Sequence, residues 1–315
     1  MTAIVLDRMG SFYAGGRRLH REGLPIQHIQ VAPTLPDFAY DPNGTFGIEH
    51  CYVQYFVPAD AVGLPWLLIH GGALTGALWE TTPDGRPGWI EQLLRQRRAV
   101  YVADGMERGR SGFCALDGVW DGKPIMRSEE EAWWLFRFGM EADYAQRRPF
   151  PGQKFPVDAL DGLLRQCVPR WTTTETLAAA AYREAVRKIG PCVVVTHSSG
   201  GHFGFDLAFS EPDLVRCVVS LEPSTFAETV PSSLDGQSFL TVMGDYLDRW
   251  QFWIDLDSRI QDWNRRLAGA GADARYLRLA DVGLPGYSHM PMMDRDNDLP
   301  LAVIQQWVDE RTPAR

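Results

Sequence analysis

The segment Cys192-Val193-Val194-Val195-Thr196-His197-Ser198-Ser199-Gly200-Gly201-His202 constrains this chain more than any other, because a buried apolar strand runs straight into a serine set among small residues. A sharp strand-to-helix turn brings neighbouring backbone close to its central residue, so the positions two before and two after it must be small. Thr196 and Gly200 hold those places around Ser198, with threonine where glycine is usual. Such a turn exposes the serine hydroxyl. It also leaves the amide of Ser199 at a helix N-terminus, where it can stabilise a developing oxyanion. The competing account is a strand ending in a polar cap, with Ser198 or Ser199 as N-cap of the next helix.

The rest of the chain suits an α/β frame around that turn. Strand-like runs occur at Ile26 to Val31, His50 to Val57, Trp66 to His70, Ala99 to Ala103, Cys192 to Thr196, Val215 to Leu221, Ser238 to Met243 and Ala274 to Leu279. Several are uninterrupted apolar segments, as expected of strands covered on both faces. Helical patterns lie between or after them at Trp89 to Gln96, Glu175 to Ile189, Gly200 to Phe209, Asp248 to Ala268 and Leu301 to Glu310. The alternation predicts a mostly parallel, doubly wound sheet with an antiparallel start. At 315 residues the chain is read as one domain, 1–315. The interval 114–174, with the acidic helix start Ser128 to Glu131, an aromatic stripe behind it and Pro149, Pro151 and Pro156, is read as a helical cap inserted over the site.

Composition narrows the partners. A net charge of −9, with only three lysines (Lys123, Lys154, Lys188) and no dense basic stripe, argues against general affinity for nucleic acid or an anionic membrane. The five cysteines are widely spaced and form no C-x-x-C pair, so they read as small buried hydrophobes. No apolar run approaches a membrane span. Asp7 and Arg8 interrupt the opening Met1 to Gly15 before any signal-like apolar run, so a cytoplasmic location is expected. No metal motif such as H-E-x-x-H occurs, and neither a metal nor an organic cofactor is expected.

A nucleophilic serine needs a base, an orienting acid and two oxyanion donors, in the chain order oxyanion loop, serine, acid, histidine. Leu67 to Ile69 open into His70-Gly71-Gly72-Ala73-Leu74-Thr75-Gly76, a glycine-rich loop where the amide of Gly72 or Ala73 can approach a carbonyl alongside Ser199. His70 precedes the serine and reads as a loop organiser. His289, in Gly286-Tyr287-Ser288-His289-Met290, is the only histidine beyond His202 and stands where the base belongs. His202 falls about one turn after Ser198 and is read as packing or bonding near the site. Two acids compete: Glu222 ends one strand and Asp245 the next, and residue order leaves them even. Trp133, Trp134, Phe136 and Phe138 are candidate pocket walls, with Ala73 and His202 as further pocket residues, although an aromatic helix stripe also serves as ordinary core.

The loop His70 to Gly76, then Trp79-Glu80-Thr81-Thr82-Pro83-Asp84-Gly85-Arg86, Gly109-Arg110-Ser111, Thr196-His197-Ser198-Ser199, Val219-Ser220-Leu221-Glu222-Pro223 and Ser288-His289-Met290 together resemble one group of α/β-hydrolases. This is an atypical group of bacterial esterases whose oxyanion loop carries two adjacent cysteines. The resemblance runs from about Gly10 to the C-terminus. It implies a triad of Ser198, Glu222 and His289, with Gly72 as the first oxyanion donor, and a homodimer is in keeping with that group. Gly72 and Ala73 stand where the cysteine pair would be, so no disulfide can brace this loop. The expected function is carboxylic-ester hydrolysis on a small-molecule ester through a serine acyl-enzyme. The same triad also suits a C–C bond hydrolase, a lactonase or an acyltransferase, and a hydrolase-shaped binding protein is the non-catalytic alternative.

Overall fold

Apolar runs flanked by helices resolve, in a computed structural model describing residues 3–313, into one large sheet with helices on both faces. Met1 and Thr2, at the start of the segment read for a leader, lie outside the described residues. The strands are β1 (Leu6–Arg21), β2 (Gln27–Ile29), β3 (Phe38–Tyr40), β4 (Gly44–Pro58), β5 (Trp66–Ile69), β6 (Val100–Asp104), β7 (Cys192–His197), β8 (Val215–Leu221), β9 (Ser238–Met243) and β10 (Asp273–Arg278). Eight of them pair in the order β1-β4-β6-β5-β7-β8-β9-β10. The β1–β4 and β4–β6 pairings are antiparallel and every later one is parallel. This is the expected doubly wound arrangement with an antiparallel start.

Two strand expectations need correction. Ile26 to Val31 is not a core strand: only Gln27–Ile29 is extended, in an exposed two-stranded ribbon with β3 outside the main sheet. β1 carries no apolar run, since glycines and charges interrupt it and most of its residues are exposed. Its pairing partner makes it a strand: β4 aligns it from Leu6 to Arg21.

The helices are α1 (Trp89–Arg95), α2 (Glu129–Leu135), α3 (Leu160–Leu164), α4 (Glu175–Ile189), α5 (Gly201–Ser210), α6 (Gln251–Gly269) and α7 (Asp298–Arg311). In α4, Ala178, Ala181, Tyr182, Ala185 and Val186 are buried, the spacing of one helical face. Glu175 lies in its first turn and Arg187 and Lys188 in its last, where each charge complements the helix dipole. Alternate residues of the central strands feed two cores. Trp66, Leu68, Val193 and Val195 pack with α1 and α7, while Leu67, Ile69, Cys192 and Val194 pack with α4, α5 and α6. The segment 114–174 adds no strand to the sheet. It contributes α2 and α3, and Trp133, Phe138 and Phe155 join the first core. The parallel strands β5, β7, β8 and β9 all end on one side, so the residues just beyond Ile69, His197, Leu221 and Met243 meet there.

Candidate active site

Ser198 follows β7 directly and opens a 3-10 turn, Ser198–Gly200, that leads into α5. Its φ of 52° lies in the left-handed region, costly for a residue with a side chain and typical of a sharp functional turn. Thr196 is fully buried two residues earlier, and Gly204 explains how it fits. A Cβ on Gly204 would stand 2.9 Å from the Thr196 Cγ2, so the glycine missing at position 196 is compensated one turn into the helix.

The Ser198 Oγ lies 2.9 Å from His289 Nε2, and His289 Nδ1 lies 3.1 Å from Glu222 Oε2. Glu222 sits at the end of β8, itself at φ 52°, with its side chain fully buried. Its other oxygen, Oε1, accepts hydrogen bonds from Arg137 at 2.6 Å and from the Gly244 amide. Burial alone would raise the Glu222 pKa. The Arg137 guanidinium and the bond to His289 override it and hold the carboxyl at about 2, so it is charged throughout the neutral range. His289 moves the other way, since burial pushes it below the ordinary histidine value of 6.5 although Glu222 opposes that shift.

The loop around His289 is braced on all sides. Phe136 stacks on the imidazole with ring centroids 5.5 Å apart, and Trp253 packs at 5.0 Å. His197 Nε2 donates to the His289 carbonyl at 2.9 Å and is held neutral by burial, its pKa lowered to about 3. Asp294 accepts from both the amide and the hydroxyl of Ser288. Arg86 donates to the carbonyls of Met293 and Asp294 at 2.9 Å, which gives the Trp79 to Arg86 motif its task. Asp245, the competing acid, points elsewhere. Its carboxylate accepts from the Gly286 amide and its backbone N–H donates to the Tyr287 carbonyl, so it anchors the base of the histidine loop.

Across from the serine, the loop after β5 contributes Gly72, which lines the same cavity of about 140 Å³ as Ser198, Ser199 and His289. Glycine is required at this position: a Cβ would fall 2.1 Å from Arg170 Nη1 and 2.6 Å from Ser199 Oγ. Ala73 is buried at φ 60°, its carbonyl bonded to the Val168 amide, and it does not line the cavity. His70 is buried, accepts from the Gly105 amide at 2.8 Å and bonds the Gly71 carbonyl, the organising task expected of it. Asp104 bonds the Gly76 amide, the Arg110 amide and the Arg110 guanidinium, which ties the Gly109-Arg110-Ser111 motif to the same loop.

Of the four aromatic pocket candidates, Phe136 lines the cavity and the other three do not. Trp133 is fully buried with its indole N–H on the Met140 carbonyl, Phe138 stacks on Phe155 at 3.9 Å, and Trp134 packs against Trp250. These three miss the cavity because α2 ends at Leu135 and the chain reverses through Phe136 and Arg137, the latter at φ 60°. Phe136, as expected, forms the apolar wall, together with Leu135, Phe252 and Trp253, while His202 does not line it. His202 lies behind Ser199, bonding its carbonyl at 3.0 Å and Thr225, with Glu175 3.3 Å from its Nε2.

Sequence reasoning missed three arginines, Arg127, Arg137 and Arg170, all from the 114–174 segment. The signal for Arg137 was available: a lone charge inside Trp133-Trp134-Leu135-Phe136-Arg137-Phe138 must be paired if that stretch is buried. Its side chain is wholly buried, bonded to Glu222 and to the Asp245 carbonyl, and lies 4.3 Å over the Trp253 ring. Among the described residues no group of three or more His, Cys, Asp or Glu side chains could hold a metal ion.

No family model matches the chain. A protein of Fungal sp. (strain ATCC 74256) described as a probable secreted lipase is 31% identical over 182 residues, covering 55% of this chain and 49% of that protein. The chain therefore matches about half the length of that curated relative. A solved structure of a bacterial esterase is 29% identical and superposes with a TM-score of 0.82, covering 99% of this chain and 98% of that one.

Proposed function

We propose that this chain, whose fold is that of the α/β-hydrolases and which is similar along its length to a bacterial esterase, is a serine carboxylic-ester hydrolase. The observation that carries the proposal is the unbroken series of contacts from Ser198 Oγ through His289 to the buried Glu222 carboxylate. In this reading the Ser198 hydroxyl attacks the ester carbonyl while His289 Nε2 takes its proton, and the amides of Gly72 and Ser199 hold the oxyanion. Collapse of the tetrahedral intermediate expels the alcohol, protonated by His289. Water, deprotonated by the same imidazole, then releases the acid from the acyl-enzyme. Glu222 keeps Nδ1 protonated and stabilises the imidazolium.

The 114–174 segment acts as a cap in this scheme, within a single domain. In support, Arg127, Leu135, Phe136 and Arg170 come from it and line the cavity beside Ser198. All five cysteines are free, which supports the cytoplasmic expectation, while the fungal relative is described as secreted. No described helix is long and apolar enough to cross a membrane. In support of a homodimer, β1 stands at one edge of the sheet, and among the described residues only β4 pairs with it.

The direct test is labelling by a fluorophosphonate probe together with a panel of esters graded by acyl and alcohol size. Covalent labelling at Ser198 and turnover of a short-chain ester are expected; failure of both would remove the reading.

The acid is tested separately. Glu222→Gln should lower kcat by about 10²- to 10⁴-fold, because an amide cannot stabilise the imidazolium, whereas Asp245→Asn should cost less than about tenfold. Asparagine keeps an oxygen for the Gly286 amide. Equal losses, or the reverse order, would move the acid role to Asp245.

The pH profile follows from the direction of the His289 shift. The base must be neutral, and its pKa is lowered from 6.5, so kcat/KM for an uncharged ester should rise with pH at values below 6.5 and be flat at neutrality. A midpoint above the ordinary histidine value would contradict this electrostatic account of the site.

A further inference from the structure

The cavity at Ser198 has an unusual charge distribution for a site that would take a simple alkyl ester. Arg127 and Arg170 both line it and no aspartate or glutamate does. Both are largely buried, with side-chain exposures of 17% and 15%. Each is anchored by a carboxylate outside the lining, Arg127 by Glu131 at 2.5 Å and Arg170 by Glu175 at 3.0 Å. Arg170 also donates to Ser199 Oγ at 3.0 Å, and its Nη1 occupies the space a Cβ on Gly72 would fill, so the guanidinium sits directly beside the oxyanion loop. Its Nε is buried and has no hydrogen-bond partner among the described residues. Arg127 is close enough to His289 for its charge to act on that imidazole.

Two largely buried guanidiniums bracketing a reacting serine carry a desolvation cost that an anion in the cavity would offset further than their carboxylate partners do. The overall charge of −9 does not attract such an anion at long range, so the recognition must be local. Space sets the size. A volume of about 140 Å³ holds a chain of only a few heavy atoms beyond the carbonyl.

We propose that the ester consumed at this site carries a carboxylate on a short acyl chain, as in a half-ester of a small dicarboxylic acid, with Arg127 and Arg170 binding the carboxylate while Ser198 attacks the ester carbonyl. This rests on the reading of Ser198 as nucleophile. Arg170 and Arg127 are thereby specificity-determining residues.

The test compares methyl hydrogen succinate with methyl 4-oxopentanoate, a neutral ester of nearly the same shape. The protein should prefer the anionic ester in kcat/KM by roughly ten- to a hundredfold, the range for a charge-assisted pair in a partly buried site. That ratio should collapse in Arg127→Gln and Arg170→Gln and be partly kept in Arg127→Lys. In the unmutated protein, succinate should slow fluorophosphonate labelling of Ser198 and succinamide should not, a measurement independent of whether any variant folds. A ratio of one or below, or equal protection by the two compounds, overturns the carboxylate proposal while labelling of Ser198 leaves the nucleophile standing. Absence of labelling and of turnover on both esters would instead remove the nucleophile itself.

Discussion

Ser198→Ala is expected to abolish turnover of short-chain esters, with kcat falling by about 10⁴- to 10⁶-fold, and to eliminate fluorophosphonate labelling. The size follows from what is left behind. Without the hydroxyl no acyl-enzyme forms, and His289 and the oxyanion donors can act only on a water that the site does not position. Any residual rate would come from binding and oxyanion stabilisation. The substitution should leave the fold intact. Ser198 is partly exposed, and alanine meets the same backbone cost as serine at φ 52°. Circular dichroism and a thermal melt matching the unmutated protein, beside the kinetic loss, complete the measurement. Labelling of the alanine variant to the same extent would place the reactive group elsewhere.

Arg137→Gln should produce the largest stability loss of any single change near the site. Arg137 and Glu222 are both fully buried and 2.6 Å apart, and removing one member of such a pair typically costs about 3–5 kcal/mol because the other charge is stranded. The pH dependence separates this from a packing defect. Glu222 is held at about 2, below its ordinary 4.5, so its contribution to stability is present above pH 4.5 and is lost as pH falls towards 2. The stability gap between the unmutated protein and Arg137→Gln should therefore be widest at neutral pH and shrink below pH 4.5. Denaturant titrations at several pH values measure it. The acidic limb of kcat/KM should also move upward, since His289 loses the Arg137 charge that helps to lower its pKa. Arg137→Lys restores a charge but cannot reach both Glu222 and the Asp245 carbonyl, so it should recover the limb more than the stability. A gap that does not vary with pH would make Arg137 a packing residue only.

Legibility in the sequence tracked burial. β5 and β7 are nearly continuous apolar runs, and β8 and β9 are largely apolar, because helices cover both faces of the sheet there, and their residue types place them. β1 was invisible because its strand character comes from pairing with β4, a long-range fact that local composition does not carry. At the site, Ser198 and His289 could be proposed from order along the chain, while Gly72 over Ala73 and Glu222 over Asp245 could not be ranked without the resemblance. Both acids follow parallel strands, and the difference lies in the direction each carboxylate takes, one to His289 and one to Gly286. The pocket wall was legible only at Phe136, for a related reason. A helical stripe was extrapolated through Phe138, whereas the helix stops at Leu135 and the reversal turns Phe136 onto His289 and Arg137 onto Glu222.

The loop that carries Gly72 has no covalent brace, and what holds it is ionic: Asp104 on the Gly76 amide, Arg108 on the Gly71 carbonyl at 3.1 Å, and Arg170 against Ser199. A disulfide in that place would tie catalytic competence to the redox poise of the surroundings. Here the loop is held by charge-assisted hydrogen bonds that thiol reagents do not touch, so its geometry should answer to acidity, whatever the local balance of oxidants and reductants.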